Sequence, residues 1–272
     1  MAEVDITTII GCPMRCYCCP QDVLLKAYKG KERMLSFDNF KLACDKIPPD
    51  VNIVFAGMAE PWLNPRCTDM LLYAHNTGHT ILVYTTAVGM SLQDLERIKH
   101  VPFDFFNLHL PDFKGRAHIP KTKKQYDIIM NIYNAKLSNF KASCMDSPYI
   151  EFINFKPISQ MHPNSRAGNV EFDTIKRIPR RKGVIRCGRE KEPKHIEMLP
   201  DGNVYICCQD YALKENIGNL FTDNYDDLFK SKGYKKIIDG LKDDTLDIIC
   251  RYCEWGIPEK TVKEFEEKEK NR

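Results

Sequence analysis

Four cysteines on one short segment, Gly11-Cys12-Pro13-Met14-Arg15-Cys16-Tyr17-Cys18-Cys19, constrain this chain more than any other feature. The segment follows a β-like run, Asp5 to Ile10, so the cysteines leave the end of a first strand. Cys12, Cys16 and Cys19 are spaced by three residues and then two, so they can wrap one centre without closing a long loop. Three thiolates on a 4Fe-4S cluster leave one iron unclaimed, an open position of the kind that catalytic metal sites keep. A zinc knuckle is the plainer alternative. Zinc asks for four ligands in paired C-x2-C loops, and the x3 gap argues against it. Cys18 lies between two of the proposed ligands, and adopting it would break the spacing.

The chain has 272 residues and twelve cysteines. No basic leader with a following apolar stretch and cleavage site is present at the N-terminus, and no run of about 18 apolar residues occurs, so a cytoplasmic protein is expected. Thiols stay reduced there, which leaves metal ligation rather than a disulfide framework as the reason for so many. A hydrophobic fraction of 43% is enough for a core, and 40 Lys and Arg against 37 Asp and Glu leave a net charge of +3. That balance predicts no nucleic-acid partner and no membrane partner.

Up to about residue 150, β-rich runs alternate with helical patterns. Strands are expected at Asn52 to Phe55, His79 to Thr85 and Phe103 to Leu108. Helices are expected at Phe37 to Lys46, with Ser36 as N-cap, and at Pro65 to Asn76, Leu92 to Lys99 and Lys121 to Ala135. Such a βα series forms a parallel sheet with right-handed crossovers. Two further β-like runs, Phe140 to Met145 and Tyr149 to Phe155, stand too close together for a crossover helix, so the barrel is expected to be truncated and open there. The character then changes, with a basic stretch at Lys176 to Lys182 and a hairpin signal at Pro200-Asp201-Gly202-Asn203. Helical runs follow near Tyr225 to Lys230 and Tyr234 to Leu241. The expected division is residues 1–165 and 166–272, the charged tail from Glu259 being a solvated end.

Strand ends in such a fold face the site. After the second strand, Ala56-Gly57-Met58-Ala59-Glu60-Pro61 offers small residues for close backbone approach and a carboxylate, Glu60, for an ammonium group. Thr85, Asn107 and His109 at later strand ends are candidates for cofactor or substrate contacts, although a lone His at a strand end is often structural. Arg166, just past the last barrel-like run, is a candidate for a carboxylate or polar substrate, or else a linker arginine. Cys44, Cys67 and Cys144 fall in helical or strand patterns and read as buried small hydrophobes. Toward the C-terminus stand Cys187, then Cys207-Cys208 behind Gly202, then Cys250 and Cys253. Four thiolates from this set would close a cluster completely and fit it for electron transfer or structural work. Either Cys207 or Cys208 serves as the second ligand, and a structural zinc is the alternative occupant.

The C-x3-C-x2-C loop after the first strand resembles the signature of the radical S-adenosylmethionine (SAM) superfamily. The Gly57 to Glu60 segment is loosely similar to its Gly-Gly-Glu motif, which holds the methionyl amine. The residue before the third ligand is usually aromatic in that superfamily; here it is Cys18, with Tyr17 one place earlier as the candidate for adenine packing. The later cysteines resemble the auxiliary-cluster domain of SPASM and Twitch members, in which a Cys is followed by G-x4-C and then a C-x2-C pair. That spacing selects Cys207, with Ile217 to Leu220 as the family's post-hairpin turn. The resemblance implies an α/β fold, a truncated open (β/α) partial TIM barrel with a small C-terminal α+β auxiliary iron-sulfur domain.

It also implies two 4Fe-4S clusters, S-adenosyl-L-methionine and a flavodoxin- or ferredoxin-type reductant. The resemblance further implies a 5'-deoxyadenosyl radical that takes a hydrogen atom from substrate. The spacing and the short second domain look most like the 2-deoxy-scyllo-inosamine dehydrogenase group, so the expected reaction is oxidation of an alcohol carbon in a small polar, cyclitol or sugar-like substrate. Arg166 and His109 would handle protons or orient the substrate. Sugar epimerisation, with a thiol such as Cys18 or Cys208 as hydrogen donor, and peptide modification are the other enzymatic readings. The short stretch before the first strand counts against the last. An iron-sulfur electron carrier or a zinc-stabilised binding module is the non-enzymatic one.

Overall fold

A computed structural model of the protein describes residues 2–161, 163–171, 178–189 and 193–261. Strands and helices alternate through the first part: β1 (Glu3–Ile6), α1 (Gln21–Ala27), α2 (Phe37–Cys44), β2 (Asn52–Phe55), α3 (Cys67–Asn76), β3 (Ile81–Thr85), α4 (Leu92–Ile98), β4 (Phe105–His109), α5 (Lys123–Asn134), β5 (Phe140–Cys144) and β6 (Ile158–Gln160). Then follow β7 (Ile185–Cys187), β8 (His195–Met198), β9 (Asn203–Tyr205), β10 (Asn216–Asn219), α6 (Tyr225–Leu228), α7 (Lys232–Lys242) and β11 (Gly256–Pro258). Local chemistry sets many of these bounds. Ser36 accepts from the Asn39 amide at 3.1 Å to cap α2, and Ser91 with Asp94 forms a capping box on α4. Both satisfy amides that have no partner inside the helix.

Nine strands form one open sheet in the order β10-β9-β8-β1-β2-β3-β4-β5-β6, and β7 pairs with β11 in a separate ribbon. All strands from β1 to β6 run parallel, and β8 enters parallel to β1 with Glu3 opposite His195 and Asp5 opposite Glu197. The expected hairpin is β8–β9, antiparallel, and it extends the same sheet instead of standing apart from it.

Strand side chains alternate between faces. Val4 and Ile6, Ile53 and Phe55, Ile81 and Val83, Phe106 and Leu108, and Ile196 and Met198 all pack into one buried core with the helices. The intervening residues therefore take the opposite face, and they include Glu3, Asp5, Tyr84, Asn107, His109 and Glu197. One face is oily and holds the sheet to its helices; the other is polar and free to meet a polar ligand.

Three expectations are corrected. The first strand runs from Glu3 to Ile6, earlier than the apolar run suggested. Tyr149 to Phe155 is not a strand: Ile150–Phe152 is a 3-10 turn, and the next parallel strand is β6. The aromatic residues of that run pack on α5 instead. Phe152 lies 5.4 Å from the Tyr126 ring and Phe155 stacks at 3.9 Å on Tyr133. Burial of rings on a helix wins over strand propensity because it removes more apolar area from water. The free edge is therefore β6. The supposed turn at Ile217 to Leu220 is largely strand β10. Part of the basic stretch and most of the charged tail lie outside the described residues. Among the described residues no helix is long and apolar enough to cross a membrane.

Candidate active site

The cysteine loop sits above the strand ends as the spacing predicts. One cavity is lined by Cys12, Cys16, Cys18 and Cys19, by Gly57, Met58, Ala59 and Glu60 after β2, by Tyr84, Thr85 and Thr86 at β3, by His109 at β4, and by Met145, Met161, Arg166 and Tyr211. Of the residues singled out from sequence, it brings together Cys12, Cys16, Cys19, Gly57, Glu60, Thr85, His109 and Arg166. Tyr17 and Asn107 are absent from this lining. Tyr17 donates its amide to the Arg116 carbonyl at 2.9 Å, and its ring lies 5.6 Å from the Arg116 guanidinium. Asn107 is one pleat deeper than His109 and gives its side-chain amide to Ser143 at 3.0 Å.

Burial pushes the Cys12 and Cys18 thiols up and takes Cys16 to about 12. Desolvated thiols gathered on one loop are a donor set that a metal centre satisfies, because a bound cation restores the thiolate that burial opposes. Gln21, at the start of α1, ties this loop to the strand ends: its Nε2 is 3.1 Å from Cys19 Sγ and 2.7 Å from the Met58 carbonyl oxygen. Tyr211 places its hydroxyl 3.6 Å from Cys19 Sγ. Neither residue stood out in the sequence, since a single Gln or Tyr carries no spacing signal.

Glu60 is 4% exposed and fully engaged. One carboxylate oxygen accepts from Thr85 Oγ1 at 2.5 Å and the Trp62 amide at 3.4 Å; the other accepts from the Thr86 amide and hydroxyl, both at 2.7 Å. These four donors pin the end of β2 to the end of β3. The carboxylate expected to receive an ammonium group thus already serves as a structural clasp, and any ligand ammonium shares it with them.

Arg166 occupies a left-handed turn, with φ of 49° there, 51° at Ala167 and 80° at Gly168. Bonds from the Arg166 amide to Asn164 Oδ1 at 3.0 Å and from Asn169 Nδ2 to the Arg166 carbonyl at 2.7 Å hold it, and the Ser165 amide donates to Glu254. Its guanidinium lies 5.6 Å from the Tyr211 ring, and its Nε is buried without a hydrogen-bond partner among the described residues. Burial, with the Arg166 charge, pushes His109 down to about 4, so its imidazole is neutral at pH 7. A neutral imidazole lining the cavity can accept a hydrogen bond there, while the same burial and charge make it a weak base.

A second cavity is lined by Cys187, Cys207, Cys250 and Cys253 with Arg189, Ile206, Ile249 and Trp255. Cys187 ends β7, and Cys250 and Cys253 stand on and just after a 3-10 turn, Ile249–Tyr252, ahead of β11. Burial raises Cys250 and takes Cys253 to about 11. Cys208 does not line this cavity. It belongs to a group with Asp5 and His195 whose donor atoms lie within 4.8 Å of one another, a spacing compatible with a metal. The chemistry there opposes one. Both His195 nitrogens are engaged, at 2.9 Å from Glu3 and 2.9 Å from Asp5, and Arg189 Nη1 stands 3.8 Å from Cys208 Sγ. A cation would have to displace a proton and face a guanidinium.

Residues 187–254 match the model of the SPASM family, an iron-sulfur cluster-binding domain. No curated protein sequence matches the chain. Among solved structures, BtrN in complex with AdoMet and 2-DOIA is 15% identical, with a TM-score of 0.64 over 93% of each chain. Native anSMEcpe with bound AdoMet and Cp18Cys peptide is 13% identical, with a TM-score of 0.60 over 94% of this chain and 88% of that one. SuiB of Streptococcus suis bound to S-adenosylmethionine is 11% identical, with a TM-score of 0.50 over 93% of this chain and 71% of that one. The chain thus carries a SPASM-type iron-sulfur cluster-binding domain in its C-terminal part and shares its fold along nearly its whole length with these AdoMet-bound structures.

Proposed function

We propose that the protein is a radical SAM oxidoreductase that oxidises an alcohol carbon of a small polar, cyclitol or sugar-like substrate. In this reading Cys12, Cys16 and Cys19 would hold a 4Fe-4S cluster, and the Gly57–Glu60 turn on the same cavity would receive AdoMet. Cys187, Cys207, Cys250 and Cys253 hold the auxiliary 4Fe-4S cluster. The observation that carries the proposal is the separation of the thiols into two cavities, one open to strand ends with polar groups and one closed by four cysteines. Bound together, the first cluster and AdoMet supply hydrogen-atom abstraction through one-electron cleavage of the sulfonium.

The chain's own residues do the rest. Arg166 would offer its Nε, buried without a hydrogen-bond partner among the described residues, to a substrate oxygen, and His109 would orient the hydroxyl to be oxidised or take its proton. Met14, Met145 and Met161 line or border the cavity with soft apolar surface that excludes water from a reactive intermediate. The auxiliary site, with no ligand position left over, suits electron acceptance and so a net two-electron oxidation. We place the boundary between the two modules near residue 165, although β8 carries the sheet across it. A flavodoxin- or ferredoxin-type protein is the proposed reductant, in the cytoplasm. The likeness to BtrN, solved with AdoMet and 2-DOIA, supports a cyclitol-type substrate, and the comparable likeness to anSMEcpe with a bound peptide makes peptide modification the second reading.

Anaerobically reconstituted protein mixed with AdoMet and dithionite tests the chemistry. Formation of 5'-deoxyadenosine is expected; its absence with both clusters in place would make the protein an electron carrier, and zinc without iron would make it a binding module. Conversion of a panel of cyclitols and amino sugars to ketones then tests the substrate class. Retention of the alcohol with inverted configuration would replace oxidation by epimerisation.

A further inference from the structure

A residue of the auxiliary module reaches the strand ends of the first. Glu197, on β8, is completely buried beside Thr7, just past β1. The Thr7 hydroxyl donates to Glu197 Oε1 at 2.5 Å and accepts from the Met58 amide at 2.7 Å. The Met58 carbonyl is held from the other side by Gln21 at 2.7 Å, so both polar backbone groups of this residue are fixed by side chains. Gly57 completes the arrangement: its φ is +78°, and a Cβ there would collide with Thr7 Oγ1 and the Glu197 carboxyl. The turn is therefore shaped around these two side chains.

The other half of the Glu197 carboxyl carries a second piece of information. Glu197 stands directly opposite Asp5 across the β1–β8 seam, on the same face of the sheet. Glu197 Oε2 and Asp5 Oδ1 are both buried without a hydrogen-bond partner among the described residues. Two adjacent buried carboxylates repel, whereas one proton between them satisfies both orphaned oxygens at once. Asp5 is held on its far side by His195, which in turn bonds Glu3. Glu3, His195 and Asp5 are thus linked on one side of that carboxyl pair, and Glu197, Thr7 and Met58 on the other.

We propose that Glu197 is a positioning residue for the cofactor: acting through Thr7, it fixes the Gly57–Met58 turn in the conformation that receives AdoMet. The inference rests on the reading that AdoMet docks at this turn. It makes cofactor affinity depend on a side chain supplied by the auxiliary module, so the first module alone does not hold a complete AdoMet site.

The test uses the anaerobically reconstituted full chain and measures AdoMet binding twice, by equilibrium dialysis and by the AdoMet-induced change in the electron paramagnetic resonance signal of the reduced first cluster. Glu197→Ala is expected to weaken AdoMet about 10- to 100-fold, the usual effect of removing a group that orients a ligand-holding residue. Glu197→Gln, whose amide oxygen still accepts from Thr7, is expected to bind within about threefold of wild type. Thr7→Val is expected to match Glu197→Ala, and the double variant to be no weaker than either, since both cut one line. Iron content and the auxiliary-cluster absorption identify variants that fold; should Glu197→Ala fail that check, Thr7→Val decides. Wild-type affinity in both single variants, additive losses in the double, or equal loss in Glu197→Gln and Glu197→Ala overturns the proposal. Failure of wild-type protein itself to bind AdoMet with both clusters present would instead overturn the docking reading on which it rests.

Discussion

Gln21 donates its side-chain amide to Cys19 at 3.1 Å while holding the Met58 carbonyl at 2.7 Å, so one side chain fixes the third cysteine of the loop relative to the strand ends. Hydrogen bonds to cluster sulfurs raise reduction potential. In Gln21→Leu the midpoint of the first cluster is expected to fall and its iron to be lost faster in air. Anaerobic redox titration and iron analysis check both; an unchanged midpoint would show that the amide does not act on the sulfur.

The division of labour between neighbouring thiols gives a sharper contrast. Cys207 lines the four-cysteine cavity and Cys208 does not. Cys207→Ala is expected to lose about half of the bound iron, as Cys187→Ala, Cys250→Ala and Cys253→Ala do, whereas Cys208→Ala keeps all of it. Equal losses at positions 207 and 208 would reverse the ligand assignment.

Arg251 lies between the last two cysteines and is completely buried. It gives Nη1 to the carbonyls of Arg181 at 2.9 Å and Gly183 at 3.0 Å, and Nη2 to that of Gly240 at 2.6 Å. One cation thereby draws the cysteine turn, α7 and the preceding loop together. Arg251→Met leaves the Arg181, Gly183 and Gly240 carbonyls, the last of them buried, short of a donor and is expected to cost about 2 to 3 kcal/mol. Denaturant unfolding of the protein before and after iron removal measures it.

His195 supplies a pH signature. Burial alone would lower its pKa, yet the carboxylates of Asp5 and Glu3 win and raise it to about 11 from the ordinary 6.5. A cation with a raised folded pKa contributes stability that is complete below about 6.5 and fades as pH climbs toward the folded value. His195→Gln is therefore expected to destabilise most at pH 6 and progressively less toward pH 10. Thermal unfolding across that range checks the slope; a penalty growing with pH would mean that the imidazole is neutral when folded.

Much of this was readable from residue order. The cap at Ser36, the apolar alternation of the early strands, and the x3/x2 and x2 cysteine spacings are local signals, each written within a few neighbours. Cys12, Cys16, Cys19, Gly57, Glu60, Thr85, His109 and Arg166 do meet in one cavity. What escaped was non-local or unpatterned. Gln21 and Tyr211 act as single side chains without a motif, and the Asp5–Glu197 pair exists only because two strands 192 positions apart lie side by side. Tyr149 to Phe155 misled because β-branched and aromatic residues that pack on a helix look the same in sequence as those of a strand.

The place of β1 has a consequence for synthesis. Strand β1 sits inside the sheet, and its neighbour on one side, β8, follows about 190 residues later in the chain. Until that late segment arrives, one flank of β1 presents bare peptide groups, a condition that invites pairing with other chains and slows folding. A nascent chain stalled before residue 195 should accordingly lean on chaperones, and release from them should coincide with emergence of the strand that bears Glu197.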